Sequence, residues 1–233
     1  MKHITVATYN ICHGHYAGYD WKRIADLLHE VGADIVGFQE IDMLTNRTGG
    51  RDTINELTAA TGFPYALFIP AMDYDGGQYG TAILSRYPMV ESGTHPLPSA
   101  DYEPRAFGRV TVDLGDDHTL TLLNTHLSVE ARAQQDIQFA YLADWMGKHL
   151  PEDTPAVLTG DFNTDDFTAF TPVTTLGFAL VNCTDREFKT FRGDPVAIDN
   201  IVYREGIMTP EAFGMTDSDA SDHNLLWCRF QLN

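Results

Sequence analysis

The sequence predicts an α/β layered domain, two sheets faced by helices, on three observations. Short apolar, β-branched segments alternate with helical patterns, as when helices cover the faces of sheets. Gly and Pro recur throughout with no linker, low-complexity stretch or heptad run, as in one domain spanning 1–233. Apolar residues make up 43% of 233, enough for a sizeable core.

The first strand reads from the N-terminus itself (Met1-Lys2-His3-Ile4-Thr5-Val6) and runs over His3–Asn10. Tyr19–Val31 reads as a helix, because Trp21, Ile24, Leu28 and Val31 fall on one face. Asp34–Phe38 is a short buried strand and Arg51–Thr61 a second helix. Strands follow at Ala66–Ile69, Gly80–Ser85, Met89–Thr94, Phe107–Leu114 and Thr119–Thr125. Glu130–His149 is the longest helical pattern, closed by Pro151. Ala156–Thr159, Ile198–Tyr203 and Asn224–Leu232 complete the strands. A faint echo relates two halves: strand–Asn10, helix, strand–Gln39-Glu40, and strand–Asn124-Thr125-His126, helix, strand–Gly160-Asp161-Phe162-Asn163. Open α/β sheets bind ligands at the C-terminal ends of strands, so the echo predicts that Asn10, Glu40, His126, Asp161 and Asn163 converge on one cleft.

Charge narrows the function. The formal net charge is −18, with 33 acidic against 15 basic residues and only four Lys. Nucleic-acid binding rests on neutralising phosphates with Lys and Arg, so tight non-specific binding is disfavoured, as is docking on an anionic membrane. No segment reaches the roughly 18 apolar residues of a membrane span, and the N-terminus lacks the pattern of a signal peptide; the default expectation is a cytoplasmic protein without stable membrane insertion. Cys12, Cys183 and Cys228 form no CxxC pair and are too scattered for a disulfide framework.

Several polar groups could carry chemistry, and each alone has a plainer reading. Glu40 follows an apolar strand and could ligate Mg²⁺, which takes one or two carboxylates plus water and substrate phosphate. Asp161 and Asn163 form a common turn pattern, or a carboxylate that orients water beside an amide that holds a phosphoryl oxygen. His126 is an ordinary strand-end His, or a donor to phosphate or a leaving oxygen. Ser221-Asp222-His223 raises a serine-hydrolase reading, but no G-x-S-x-G elbow surrounds Ser221. His223 as a base oriented by Asp199, with Asp222 facing a metal, fits better. His13-Gly14-His15 invites zinc but lacks a third ligand group and reads as a loop. Arg47, Arg51 and Arg105 could supply forked donors to phosphate, or simply be solvated. No P-loop pattern is present. Together the set matches metal-assisted hydrolysis of a phosphate ester.

In this order, Ala7-Thr8-Tyr9-Asn10-Ile11, Gly37-Phe38-Gln39-Glu40-Ile41-Asp42, Gly80-Thr81-Ala82-Ile83-Leu84-Ser85, Asn124-Thr125-His126-Leu127, Gly160-Asp161-Phe162-Asn163, Ile198-Asp199-Asn200-Ile201 and Ser221-Asp222-His223 resemble the endonuclease/exonuclease/phosphatase superfamily, the deoxyribonuclease I-like phosphoesterases. The resemblance implies a four-layered α/β sandwich with two central, mostly antiparallel sheets flanked by helices. It implies Glu40 as the main Mg²⁺ ligand (Mn²⁺ as substitute), with Asn10 and Asp222 in the metal shell. Asp161 would orient or deprotonate the attacking water, and Asn163 and Asn124 would hold that water or a phosphoryl oxygen. His223, paired with Asp199, and His126 would stabilise phosphate charge or move a proton. Arg47 and Pro104-Arg105 resemble the short bacterial members. Asn200 and Cys12 depart from the common pattern.

The leading expectation is a Mg²⁺-dependent phosphodiesterase or phosphatase acting on a small or lipid-derived phosphate ester. A DNA endonuclease ranks behind it for want of a basic patch, and a non-catalytic binding module behind both, because the site set is complete. Segments Ile69–Tyr79 and Leu97–Arg105 are expected to be loops that rim the pocket.

Overall fold

Alternation along the strands explains both the layers and the place where they open. In β1 (Lys2–Asn10), Ile4 and Val6 face one way and Ala7 and Tyr9 the other. The computed structural model describes residues 2–233; Met1, the first residue of the expected opening strand, lies outside the described residues. The chain continues through α1 (Trp21–Glu30), β2 (Ile35–Met43), α2 (Thr53–Thr61), β3 (Tyr65–Tyr74), β4 (Gly77–Ser85), β5 (Met89–Pro96), β6 (Ala106–Gly115) and β7 (His118–His126). It then forms α3 (Arg132–His149), β8 (Ala156–Asp161), α4 (Thr171–Thr174), β9 (Phe178–Leu180), β10 (Asp199–Arg204), β11 (Met208–Thr216) and β12 (Leu225–Leu232).

Among the described residues, twelve strands form two six-stranded sheets, ordered β11-β12-β1-β2-β4-β3 and β5-β6-β7-β8-β10-β9. Within each sheet one pair is parallel, β1 with β2 and β7 with β8, and the others are antiparallel. The halves of the sequence echo are these two parallel pairs, each spanning a helical connection.

Ile4, Val6, Ile35, Ile83, Leu122, Val157, Ile201 and Phe230 belong to the core shared by the two sheets. Burying each such side chain contributes about 1.5–3 kcal/mol. Trp21, Ile24 and Leu28 of α1 and Leu57 of α2 pack with Tyr9, Val36 and Phe38 on the far face of the first sheet. Phe139, Leu142 and Met146 of α3 cover the second with Leu123, Leu158 and Phe162. The order is helix, sheet, sheet, helix, the expected four-layered sandwich. Asp20 and Asp52 cap α1 and α2 by accepting from Lys22 N and Asn55 N, which starts each helix later than its apolar pattern suggested.

Three expectations change. β2 does not stop at Phe38: it runs to Met43 through a register break between Phe38 and Ile41, where Glu40 has φ of 57°. Such a bulge re-aims one side chain. Ile69–Tyr79 is no loop but a hairpin, in which Asp75 (φ 47°) and Gly76 (φ 83°) form the turn between Tyr74 and Gly77. β9, β11 and α4 are additions: β9 and α4 are three and four residues long, too short for a periodic signal, and β11 is a half-exposed strand with mixed polarity.

Candidate active site

The faces that meet between the sheets are apolar along most of their length and turn polar at one end. In β1, the row Ile4, Val6 is continued by Thr8 and Asn10; in β7, Leu120 and Leu122 by Asn124 and His126. In β8, Val157 is followed by Thr159 and Asp161, and in β10 Asp199 precedes Ile201. The two-residue period therefore delivers Asn10, Asn124, His126, Asp161 and Asp199 to one end of the sandwich. A cleft of about 480 Å³ opens there, bordered by Glu40, Tyr79, Arg105, His126, Asp161, Asn163, Asp222 and His223. Asn10 and Asp199 stand behind this lining, both buried.

Asn10 ties the two sheets together. Its Nδ2 donates to Glu40 Oε1 (3.1 Å) and to Asp161 Oδ2 (3.0 Å), and its Oδ1 accepts from Cys12 N at 3.1 Å. Expected in the metal shell, Asn10 stands beside Glu40 there and acts as a strut that holds two carboxylates. Ser221 is buried, and its one hydroxyl hydrogen is shared between Asn10 O at 2.7 Å and Asp222 Oδ1 at 3.2 Å. That orients Asp222 and leaves Ser221 with none of the geometry of a nucleophile.

His223 Nδ1 lies 2.8 Å from Asp199 Oδ2, and its Nε2 is 3.6 Å from Asp161 Oδ2. Burial by itself would lower the His223 pKa, but the carboxylates of Asp199, Asp161 and Asp222 outweigh it and raise it to about 10. At neutral pH this ring is a cation. Asp161 is pushed the other way for an acid: burial, then the Asp199 charge, raise it to about 7 against the pull of His223 and Asn10.

Asn163 donates from Nδ2 to Leu127 O (2.9 Å) and to His126 Nε2 (3.0 Å). The carbonyl can only accept, which fixes the amide's orientation and makes His126 Nε2 an acceptor. His126 is therefore neutral, and burial, Arg105 and His223 hold its pKa well below the ordinary range. This narrows two expectations. Asn163 has no N–H left for a phosphoryl oxygen, which leaves the other expected role, holding the water. His126, uncharged, positions Asn163 rather than protonating a leaving group.

Asn124 is also corrected. Its Nδ2 donates to Phe38 O (2.9 Å) and Ala82 O (3.0 Å), and its Oδ1 accepts from Gln39 Nε2 (2.7 Å) and Thr159 Oγ1 (3.0 Å). Fully buried and fully bonded, it clamps sheet to sheet instead of touching substrate. Gly37 makes room for it: a Cβ there would stand 2.2 Å from Thr159 Oγ1 and 2.4 Å from Asn124 Oδ1.

The two arginines part company. Arg47 spends Nε and Nη2 on Asp42 (2.5 and 2.7 Å) and stacks 4.6 Å from the Tyr74 ring, lining a side cleft rather than the main one. Its expected role as a substrate fork is reduced to one edge. Arg51 pairs with Glu56. Arg105 is only 5% exposed; Nη2 meets Glu103 Oε1 at 2.9 Å, while Nε and Nη1 are buried without partners among the described residues. On the wall of an open cleft, such nitrogens call for an anionic ligand.

Glu40 and Asp222 each have one oxygen engaged by a neighbour, leaving the other for the cleft. Burial raises the Glu40 carboxyl, against the effects of Asn10 and His223. Oxygen donors with unspent lone pairs, in a site where burial penalises their charge, fit a hard divalent cation. Asp161, Asp199 and His223 also bring ligand atoms within 4.8 Å of one another, a second group that could hold an ion. There the His223 ring itself supplies positive charge.

Sequence reasoning passed over several contributors. Tyr79 lines the cleft; burial, then Glu40, raise its pKa well above the usual value, so its hydroxyl stays a donor. Gln135 of α3 donates to Ser128 O and Asn163 O (2.9 and 2.7 Å), and Gln138 Oε1 accepts from Ser128 N. Their signal was present: Gln on the buried face of an otherwise apolar stripe. Phe191 packs against His223, ring centroids 5.1 Å apart and tilted by 59°, from an irregular segment that carries no pattern.

Residues 7–223 match the model of the Endonuclease/Exonuclease/phosphatase family. The uncharacterized protein YbhP of Escherichia coli K12 is 26% identical over 149 residues, which span 60% of this chain and 58% of YbhP. The solved structure of an endonuclease/exonuclease/phosphatase from Beutenbergia cavernae superposes with a TM-score of 0.83 at 22% identity, over 100% of this chain and 72% of that one. A mannosyl-6-phosphatase from Bacteroides thetaiotaomicron superposes with a TM-score of 0.70 at 18% identity, over 99% of each chain.

Proposed function

Because the chain belongs to the endonuclease/exonuclease/phosphatase family, we propose that it is a Mg²⁺-dependent phosphoesterase that hydrolyses a small or lipid-derived phosphate ester by activated-water attack. The observation that carries this reading is Arg105, which lines the same cleft as the Glu40 and Asp222 carboxylates and keeps two buried guanidinium nitrogens without partners among the described residues. A cleft with both charges at close quarters suits a phosphate accompanied by a cation. Its volume of about 480 Å³ suits a small ligand, and the −18 charge disfavours a long polyanion. A fold relative named for a mannosyl-6-phosphatase supports a small ester.

Glu40 and Asp222, steadied by Asn10 and Ser221, would hold Mg²⁺ (or Mn²⁺), which when bound neutralises charge on the phosphoryl oxygens. Asp161, ionised above about pH 7, accepts a proton from a water that the Asn163 amide oxygen holds. His223, kept cationic by Asp199, donates to the phosphoryl group, and Arg105 adds N–H donors on another wall. The test is hydrolysis of bis-p-nitrophenyl phosphate with and without Mg²⁺. Glu40→Ala and His223→Ala are each expected to lower the Mg²⁺-stimulated rate by about 10²–10³-fold; unchanged rates in both overturn the reading.

A further inference from the structure

We propose that Cys12, His13 and Glu40 form a Zn²⁺ site whose occupation takes Glu40 from the catalytic cation and so inhibits the enzyme. The inhibition rests on the phosphoesterase reading above; the ion site does not.

The three residues present ligand atoms within 4.8 Å of one another. A tetrahedral Zn²⁺ with ordinary bond lengths needs donors roughly 3.3–3.8 Å apart, so side-chain adjustments of about 1 Å close the site. Thiolate, imidazole and carboxylate together select a borderline-soft ion, whereas Mg²⁺ asks for six oxygens. Three protein donors leave a fourth position for water.

The local structure brings the donors together. Cys12 and His13 sit in a 3-10 turn directly beyond β1, with φ of 43° and 45°, and Glu40 on its bulge has φ of 57°. The Cys12 N–H is held by Asn10 Oδ1, and Asn10 Nδ2 holds Glu40, so one amide fixes the turn against the carboxylate. His13 Nδ1 is buried and has no hydrogen-bond partner among the described residues. A buried ring nitrogen with nothing to bond is what a metal ligand looks like without its metal. The thiol lies in the negative field of Glu40 and Asp222. A cation relieves that field; on binding, the Cys12 S–H bond breaks, an S–Zn bond forms and one proton leaves to solvent. His15, exposed, is outside the cluster, so the pair that suggested zinc from sequence is replaced by His13 with Cys12 and Glu40.

The experiment uses the full chain stripped of metal, with Co²⁺ and Zn²⁺ as probes. Wild type titrated with Co²⁺ is expected to show a near-ultraviolet thiolate-to-cobalt band that Cys12→Ser lacks. Zn²⁺ affinity, read by competition with a chromogenic chelator, should fall at least about 10-fold in Cys12→Ser and in His13→Gln, since even groups that merely support a ligand cost that much. Zn²⁺ should suppress Mg²⁺-stimulated hydrolysis in wild type, excess Mg²⁺ should relieve it, and Cys12→Ser should escape it with its Mg²⁺-only rate unchanged. No cobalt band, or equal Zn²⁺ affinity in the three proteins, overturns the site. Inhibition that persists in Cys12→Ser overturns the regulatory step. A chain that hydrolyses no phosphoester refutes the proposed function, while the band and affinities still decide the site.

Discussion

Replacing Asp199 with Asn tests the charge state on which the active-site reading depends. The substitution keeps shape and leaves an oxygen for His223 Nδ1, now 2.8 Å from Asp199 Oδ2. What it removes is the leading cause of the raised His223 pKa, and burial then pulls the ring toward neutrality. A rise from 6.5 to about 10 corresponds to roughly 5 kcal/mol in favour of the charged ring. Asp161 and Asp222 remain, so about 2–4 kcal/mol of that preference is lost. The assay is kcat/KM against pH on bis-p-nitrophenyl phosphate, with the ring titration followed by NMR. On the alkaline side, wild type should lose activity only as pH rises through about 10, where His223 gives up its proton. In Asp199→Asn that alkaline limb should fall to about pH 7–8, with a loss of about 2–10-fold at pH 8 from deprotonation of the ring. The stability from this ion pair, fully present below pH 6.5 and lost as pH rises through about 10, should shrink in parallel. An alkaline limb that stays near pH 10 in the variant refutes the imidazolium.

On the acid side, activity should rise as pH climbs through about 7, because Asp161 accepts a proton only once ionised; its raised pKa puts that step near neutrality, and Asp161→Asn should abolish the limb along with most of the rate. Arg105→Ala should raise KM by about 10–100-fold by removing a charge-assisted phosphate contact, with Arg105→Lys recovering part of it, as steady-state kinetics will report. Asn124→Ala should cost about 2–4 kcal/mol in urea unfolding, since it strands the Phe38 and Ala82 carbonyls and the Gln39 amide; a kinetic defect without a stability defect contradicts its role as a clamp.

The layers were legible because burial enforces a two-residue period on strands and a helical one on α1, and both survive in the sequence at Ile4, Val6, Trp21 and Leu28. The convergence of Asn10, Glu40, His126, Asp161 and Asn163 followed from two strand–helix–strand units whose strands end in polar residues. What each amide does was not legible. Asn124 and Asn163 look alike in sequence; only three-dimensional partners show that one clamps sheet to sheet and the other is tied to Leu127 O and His126. The bulge at Glu40 was hidden because an apolar run followed by polar residues reads as the end of a strand whether or not the ladder continues. The partner of His13 was equally invisible, being contributed by a strand 27 residues downstream.

Asn10 meets Asp161 across 151 residues of chain, and Gln39 meets Asn124 across 85. Half of the proposed catalytic apparatus is carried by each sheet, and neither half is a rudimentary site. Contacts this distant in sequence form late and slowly during folding. The cleft is therefore completed at the final collapse, when the second sheet closes on the first. Until then the acidic groups remain hydrated at ordinary pKa values, and no half-folded chain holds a partly assembled hydrolytic centre.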